Sequence, residues 1–413
     1  MPLTYSFGSA YHQILSVLIP LAWIAVPIFL AIMFWNLRLL SVRVRFFNNI
    51  EWVLLEVRVG EQSVRTPKAM EHVFASLFGI YSFGISSMSK YLKGTIDLWF
   101  SFEILGKEDG IRFYVRTPSK YRNLVESALY SQYPDIEIEE AEDYVYEFGR
   151  VIPNETYDLW GTGYKLTKDS VYPLRTYKEF EPTREKEEYI VDPLAMLFEA
   201  LSKLKNDETV FFQMMISPTG AATGFDIKKK AEKEIATIIE EKGMKHKNKE
   251  GDEEKASSMT ALTPGMRDVV KAIEDKASQL LFETTMRFVY IDRKDSFNRL
   301  NISSVMGSFQ QFNSQSLNSI RSDGSSTSFG GIKAMLFPWY KNAKLSSKKR
   351  RLFEYYATRR FGMSNHFREE KLPVLSVEEL ATLFHFPRSF MKAPKLRGVY
   401  SRKGGPPSDL PVA

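Results

Sequence analysis

The chain has 413 residues, is 44% hydrophobic and 26% charged, and carries a formal net charge of +6, which excludes a mostly disordered chain, a collagen-like fibre and a polytopic membrane protein. At roughly 150 residues per domain this length suggests two or three units. There is no cysteine, so disulfide scaffolds, thiolate zinc sites and cysteine nucleophiles are excluded, and five histidines leave little for metal chemistry.

The first charged side chain is Arg38, and residues 14–35 form 22 consecutive uncharged positions. At about 1.5 Å rise per residue they extend roughly 33 Å, enough for a hydrocarbon core of about 30 Å. Pro20 and Pro27 are tolerated in a bilayer helix. Tyr5, Tyr11 and Trp35 lie where interfacial aromatics belong. A secretory signal peptide would carry its basic residues before the apolar run. Here Arg38, Arg43 and Arg45 follow it, which places the N-terminus outside and the remainder in the cytoplasm. The expected anchor covers residues 1–45, with its span at about 14–36.

Residues 51–59 read as a strand, and Thr66 followed by Pro67 is a helix-start signal for a helix carrying Met70, Val73, Phe74 and Leu77 on one face. Residues 95–104 and 111–116 read as strands joined by a hairpin turn at 107–110. Thr117 and Pro118 repeat the start signal for a helix through Leu124, Val125, Ala128 and Leu129, and residues 136–138 form a short strand. The order β-α-β-β-α-β over 46–150 predicts a ferredoxin-like domain. From about residue 155 the pattern recurs. One or two strands lie within 164–180, a helix opens at Asp192 and Pro193, strands cover 208–216 and 284–291, and a helix covers 295–312. Two helices at 226–282, separated by a polar tip at 242–255, read as a helical hairpin inserted into this second domain (151–320). The tip has almost nothing to bury and is expected to be mobile.

Residues 321–413 comprise a connector rich in Ser and Gly, a basic helical segment and a Pro-rich linker. Residues 331–403 hold 17 Lys and Arg against 5 Asp and Glu, so the basic character is concentrated there. A helix is expected over 341–360, opening at Lys348, Lys349, Arg350 and Arg351. Ser376 with Glu379 forms a capping box for a short helix through Leu380 and Leu383 that stops at His385, Phe386 and Pro387. The expected fold class is therefore α+β: a transmembrane helix, two ferredoxin-like domains, and a basic C-terminal helical tail.

No catalytic constellation emerges. Residues 161–167 lack the spacing of a phosphate loop and suit a strand entry. His385, beside Phe386 and Pro387, reads as a packed histidine. Adjacent Glu71 and His72 point to different helix faces and form no acid–base pair. Glu137, Glu139, Glu140, Glu142 and Asp143 read as a solvated strand edge. The basic segment, including Arg359 and Arg360, has three readings: a solvated helix face, a contact with nucleic-acid phosphates, or a contact with anionic lipid or an acidic partner. Phe353, Tyr355, Tyr356 and Phe361 interleave with its cations as on a single-strand platform, a spacing that serves core packing equally.

Five stretches together carry a family resemblance. They are RTPKAME at 65–71 with Phe78, Gly79 and Ile80; IRFYVRTP at 111–118 running to ALYSQYP at 128–134; LSVEELATLFHFP at 375–387; Ala393 with Pro394; and PPSDLP at 406–411. With them the chain resembles the membrane-anchored N-terminal region of bacterial conjugative, type IV secretion coupling-protein-like DNA-transfer ATPases. That region has no assigned function. In the family the 375–387 stretch and the Pro-Pro linker lead into a RecA-like motor whose P-loop normally follows; none is reached by Ala413, so either the motor is a separate chain or this is a truncated or split version. The resemblance therefore implies an anchored scaffold that is not itself an enzyme, with no cofactor and no catalytic or metal-binding residue to name. It would position a P-loop ATPase at the inner membrane and form a homo-oligomer through that partner. Leu380, Leu383, Phe384 and Phe386 would dock on the motor or on the chain's own sheet, and the basic segment would face DNA or the motor's rim. The alternative is a membrane-tethered nucleic-acid-binding protein acting alone.

Overall fold

The computed structural model describes residues 4–60, 65–81, 88–180, 192–205, 207–243, 262–323, 327, 338–362 and 372–387. Most of the polar tip at 242–255, part of the Ser/Gly connector and all of the Pro-rich linker lie outside them.

The chain divides into two compact units. The first comprises residues 1–51 with 85–97. Its α1, Thr4–Asn48, is a 45-residue helix. Ala22–Asn48 within it is long and apolar enough to cross a membrane, and Trp23, Ile24, Phe29 and Phe34 stand exposed. The segment 85–97 belongs to the same unit: Arg38 donates to the carbonyl of Tyr91 at 3.4 Å, and Gly94, at φ +66°, lies so close to Val42 and Arg43 that a Cβ would sit 2.6 Å from the Val42 backbone.

The second unit is built on one nine-stranded antiparallel sheet. Its strands are β1 (Trp52–Val59), β2 (Phe100–Lys107), β3 (Gly110–Pro118), β4 (Ile136–Glu140), β5 (Tyr157–Leu166), β6 (Thr209–Pro218), β7 (Leu281–Arg293), β8 (Ile320–Ser322) and β9 (Val374–Ser376). The order is β4-β1-β3-β2-β6-β7-β5-β8, with β9 added to the start of β7. Two separate ferredoxin-like domains are thus overturned. The edges that each domain would have left open, β2 and β6, pair with each other from Phe100–Ile216 to Gly106–Val210. Joining them satisfies two rows of backbone groups at once and makes the sheet continuous.

Alternation along the strands sorts the side chains onto two faces. Phe102, Ile104, Phe113, Val115, Phe212, Met214 and Phe288 form an apolar face. It is covered by α2 (Pro67–Leu77), α3 (Arg122–Gln132), α4 (Ala195–Ser202), α7 (Arg299–Ser308) and α9 (Val377–Leu383). Pro67 opens α2 as its position predicts, and Asp192 caps the turn before α4 by accepting from the Leu194 amide at 2.7 Å. Thr117 and Pro118 also extend β3 opposite Val53 and Trp52; a 3-10 turn at Ser119–Tyr121 follows Pro118 directly and leads into α3 at Arg122. Between β6 and β7 run α5 (Ala221–Gly243) and α6 (Pro264–Ser278), joined through Ala231, Ile235, Val269 and Ile273.

The other face is covered by α8 (Pro338–Ala357), whose Leu352, Phe353, Tyr356 and Ala357 pack on Leu105, Leu159, Phe211 and Val289. The expectation of a helical tail is corrected accordingly: one face of the C-terminal half of this helix is core. Gly161 lets it approach, since a Cβ there would lie 2.7 Å from Leu352 and 2.5 Å from the Phe288 carbonyl.

Candidate functional site

The face beneath α8 carries a buried polar strip. Glu103 on β2 stands opposite Gln213 on β6, which stands opposite Arg287 on β7. Gln213 donates to Glu103 at 3.0 Å and accepts from Arg287 at 3.1 Å. The strip meets the end of α8. Arg287 donates to the carbonyls of Tyr355, Arg360 and Gly362, placing a guanidinium at the C-terminal end of the helix. Arg359, in the left-handed region at φ 46°, turns back into the sheet and reaches Glu103 through Nε at 3.1 Å and Nη2 at 3.2 Å, and also pairs with Asp143. Ser101 and Tyr144 donate to Glu103 at 2.6 Å each. Because Tyr144 gives its proton to Glu103, Tyr356 donates to Tyr144 across 2.6 Å.

Burial alone would raise the Glu103 pKa. The Arg359 charge and the hydrogen bonds outweigh it and hold the carboxyl below its ordinary value. Burial, reinforced by Glu103, pushes the phenols of Tyr144 and Tyr356 well up, so both stay protonated donors. Arg116 beside them is brought down to about 10, first by burial and then by the Arg359 charge.

The predicted basic residues therefore divide. Arg359 is 1% exposed inside this network. Lys349 is held by Asp158 at 2.6 Å, and Arg360 lies over the Tyr355 ring at 4.4 Å. Lys348 is half-buried. Arg350 and Arg351 are exposed, as are Lys341 and Lys344 one to three turns earlier. Of the aromatics read as a platform, Phe353 and Tyr356 are core. The exposed rings are Trp339 at 72% and Tyr340 at 38%. Residue types alone could not separate these roles; the 100° step of the helix, referred to the buried Leu352, Phe353 and Tyr356, does.

Leu380, Leu383, Phe384 and Phe386 all lie in the core on the sheet's apolar face. Phe384 meets Phe102 edge-on at 5.2 Å, and Phe386 meets Phe113 at 5.1 Å. The capping box of Ser376 and Glu379 is formed. Glu379 also accepts from the Leu174 amide at 2.7 Å and pairs with Lys276 of α6 at 2.8 Å, both partners almost fully buried. Glu378 accepts from Thr176, Lys178 and Gln279. Thus α9 fastens the β5–α4 connection and the α5–α6 pair to the sheet. His385 bonds Ala381 and Asp192 at 2.8 and 2.9 Å, as a packed histidine should. Arg38, Arg43 and Arg45 all lie in the last third of α1.

A cavity of about 850 Å³ opens beside Lys203, Lys205, Glu208, Asp292 and Asn298. The Tyr290 hydroxyl lies 3.0 Å from Glu208 and 2.9 Å from Asp292. Asp292 also accepts from Ser296 and from the Arg293 and Asn298 amides, and Glu208 from Asn301 and the Lys205 amide. These carboxylates organise loops. Among the described residues no group of three or more His, Asp or Glu could hold a metal ion.

Residues 51–397 match the family described as Domain of unknown function (DUF8128), and the chain belongs to that family. No curated protein matches the sequence. Among solved structures the chain is similar to aclacinomycin oxidoreductase, at 9% identity and a TM-score of 0.27 over 75% of this chain and 54% of that one. It is also similar to two variants of berberine bridge enzyme. One, described as a reticuline dehydrogenase, matches at 9% identity and a TM-score of 0.22 over 82% of this chain and 54% of that one. The other, in complex with (S)-reticuline, matches at 10% and 0.21 over 79% and 55%. The chain spans about half the length of these structures. These three are described as an oxidoreductase and two variants of an enzyme, and the expectation that this chain is not itself an enzyme is not carried further. TM-scores this low carry no activity, substrate or cofactor to this chain.

Proposed function

We propose that this member of the DUF8128 family is a membrane-anchored assembly subunit of a DNA-transfer machine of the type IV secretion kind, which positions a RecA-like P-loop ATPase at the bacterial inner membrane. The observation that carries the reading is α1: none of its Ala22–Asn48 stretch is buried within the chain, so its apolar surface calls for a bilayer. The arginines at 38, 43 and 45 favour a cytoplasmic sheet unit under the positive-inside rule. The motor-proximal stretch of the resemblance, 375–387, supports a positioning role, because it is fastened to the sheet and to α6 and would give whatever follows it a fixed point of departure.

The absence of cysteine makes the topology directly readable. Single variants Ser6→Cys and Ser347→Cys in intact cells should react with a membrane-impermeant maleimide at the first site only. The full chain, extracted in detergent, should co-purify with a P-loop ATPase. Labelling of Ser347→Cys from outside would overturn the orientation, and recovery of the chain without any ATPase would overturn the assembly role.

A further inference from the structure

We propose that the outward face of α8 from Trp339 to Arg351 is a binding surface for single-stranded nucleic acid. The inference stands on charge and exposure and does not rest on the assembly role. Residues 338–353 contain six Lys and Arg and no Asp or Glu. One of the six, Lys349, is neutralised by Asp158. Lys341, Lys344, Arg350 and Arg351 are exposed, and no carboxylate among the described residues pairs with them. The buried part of the helix anchors this charge. Leu352, Phe353 and Tyr356 sit in the core, while Arg287 and Arg359 fix the C-terminal end, so the helix that carries the cations is held to the sheet at that end.

From Lys341 to Arg351 the helix rises about 15 Å. That length runs past several phosphates of one strand, roughly four where its bases keep the stacked rise of about 3.4 Å. Trp339, 72% exposed, and Tyr340, 38% exposed, stand at the N-terminal end of the row, within reach of an unpaired base. A duplex hides its base faces and would leave these rings unused. An anionic bilayer also offers negative charge, but a helix lying in a membrane interface needs a continuous apolar face. On α8 the outward line through Tyr340 continues with Lys344, Ser347 and Arg351 at helical spacing, while Leu352, Phe353, Tyr356 and Ala357 face the sheet.

The test uses the full chain in neutral-lipid nanodiscs with a fluorescent 12-nucleotide oligo(dT), titrated at several salt concentrations. Binding is expected with a slope of log K against log salt of about −3, from four cations at roughly −0.7 each. The variant Lys341→Ala, Lys344→Ala, Arg350→Ala, Arg351→Ala should retain the wild-type melting temperature and bring the slope close to zero. Trp339→Ala should leave the slope unchanged and weaken binding about 5- to 150-fold, the range of one stacked base. A duplex of equal length should bind more weakly, and phosphatidylserine vesicles should compete poorly. No binding at low salt, an unaltered slope in the quadruple variant, or preference for duplex or for vesicles would each overturn the proposal.

Discussion

Glu103 is the residue on which the covered polar face turns. Its carboxylate receives Ser101, Tyr144, Gln213 and two bonds from Arg359, so every lone pair is occupied. Removing one member of a buried pair costs about 3–5 kcal/mol, because the other charge stays buried. Glu103→Gln should therefore lower the urea midpoint at pH 7 by the equivalent of several kcal/mol. The pH dependence has a definite sign. The folded pKa lies below the ordinary 4.5. The stabilisation is complete above that value and is lost as pH falls through the folded pKa. The gap between wild type and Glu103→Gln should hold steady from pH 8 to pH 5 and narrow below pH 4.5 in urea titrations. A gap independent of pH would show that Glu103 is not ionised in the fold.

At the scale of elements, α9 is short yet ties together distant segments. Lys276 is brought below its ordinary pKa by burial, with Glu379 working against that loss. Glu379→Gln leaves the ammonium without its partner and should raise amide hydrogen exchange throughout α6. Pairing it with Lys276→Met removes the stranded charge, and exchange should return most of the way to wild type. If the double variant exchanges as fast as Glu379→Gln alone, the ion pair is not what holds α6. This capping box was legible in the sequence, since Ser376 and Glu379 lie at the required spacing before an apolar run. So were the Pro67 helix start and the turn at 107–110, which depend on neighbours along the chain. The extension of β3 through Thr117 and Pro118 was not legible, because their pairing with β1 is tertiary and leaves no mark on the local start signal. Nor was the junction of β2 with β6. Both strands are apolar on alternate residues, and that pattern fixes which side chains face inward without naming the strand alongside. The short β8 and β9, three residues each, give no periodicity to read. The basic residues near 350 were legible as a group. Their separation into clamp and outward face required knowing where α8 touches the sheet.

For the whole molecule, the two compact units make a further expectation. Residues 52–413 contain every strand, but they also carry 85–97, which belongs with α1. A chain beginning at Trp52 should stay folded, with near-wild-type circular dichroism and a cooperative melt. It should acquire protease sensitivity confined to 85–97. Cleavage spread across the strands would show that the sheet depends on α1.

The place of β7 in the sheet has a consequence for biosynthesis. It lies between β6 and β5 and also receives β9, so residues 281–293 join parts of the sheet separated by more than a hundred positions. A ribosome that has already delivered α1 must translate well past residue 293 before those neighbours can be bridged. Throughout that interval the growing polypeptide holds β5 and β6 without the strand that connects them. Anchorage and folding are therefore separated in time, with the interval set by the position of one strand in the gene.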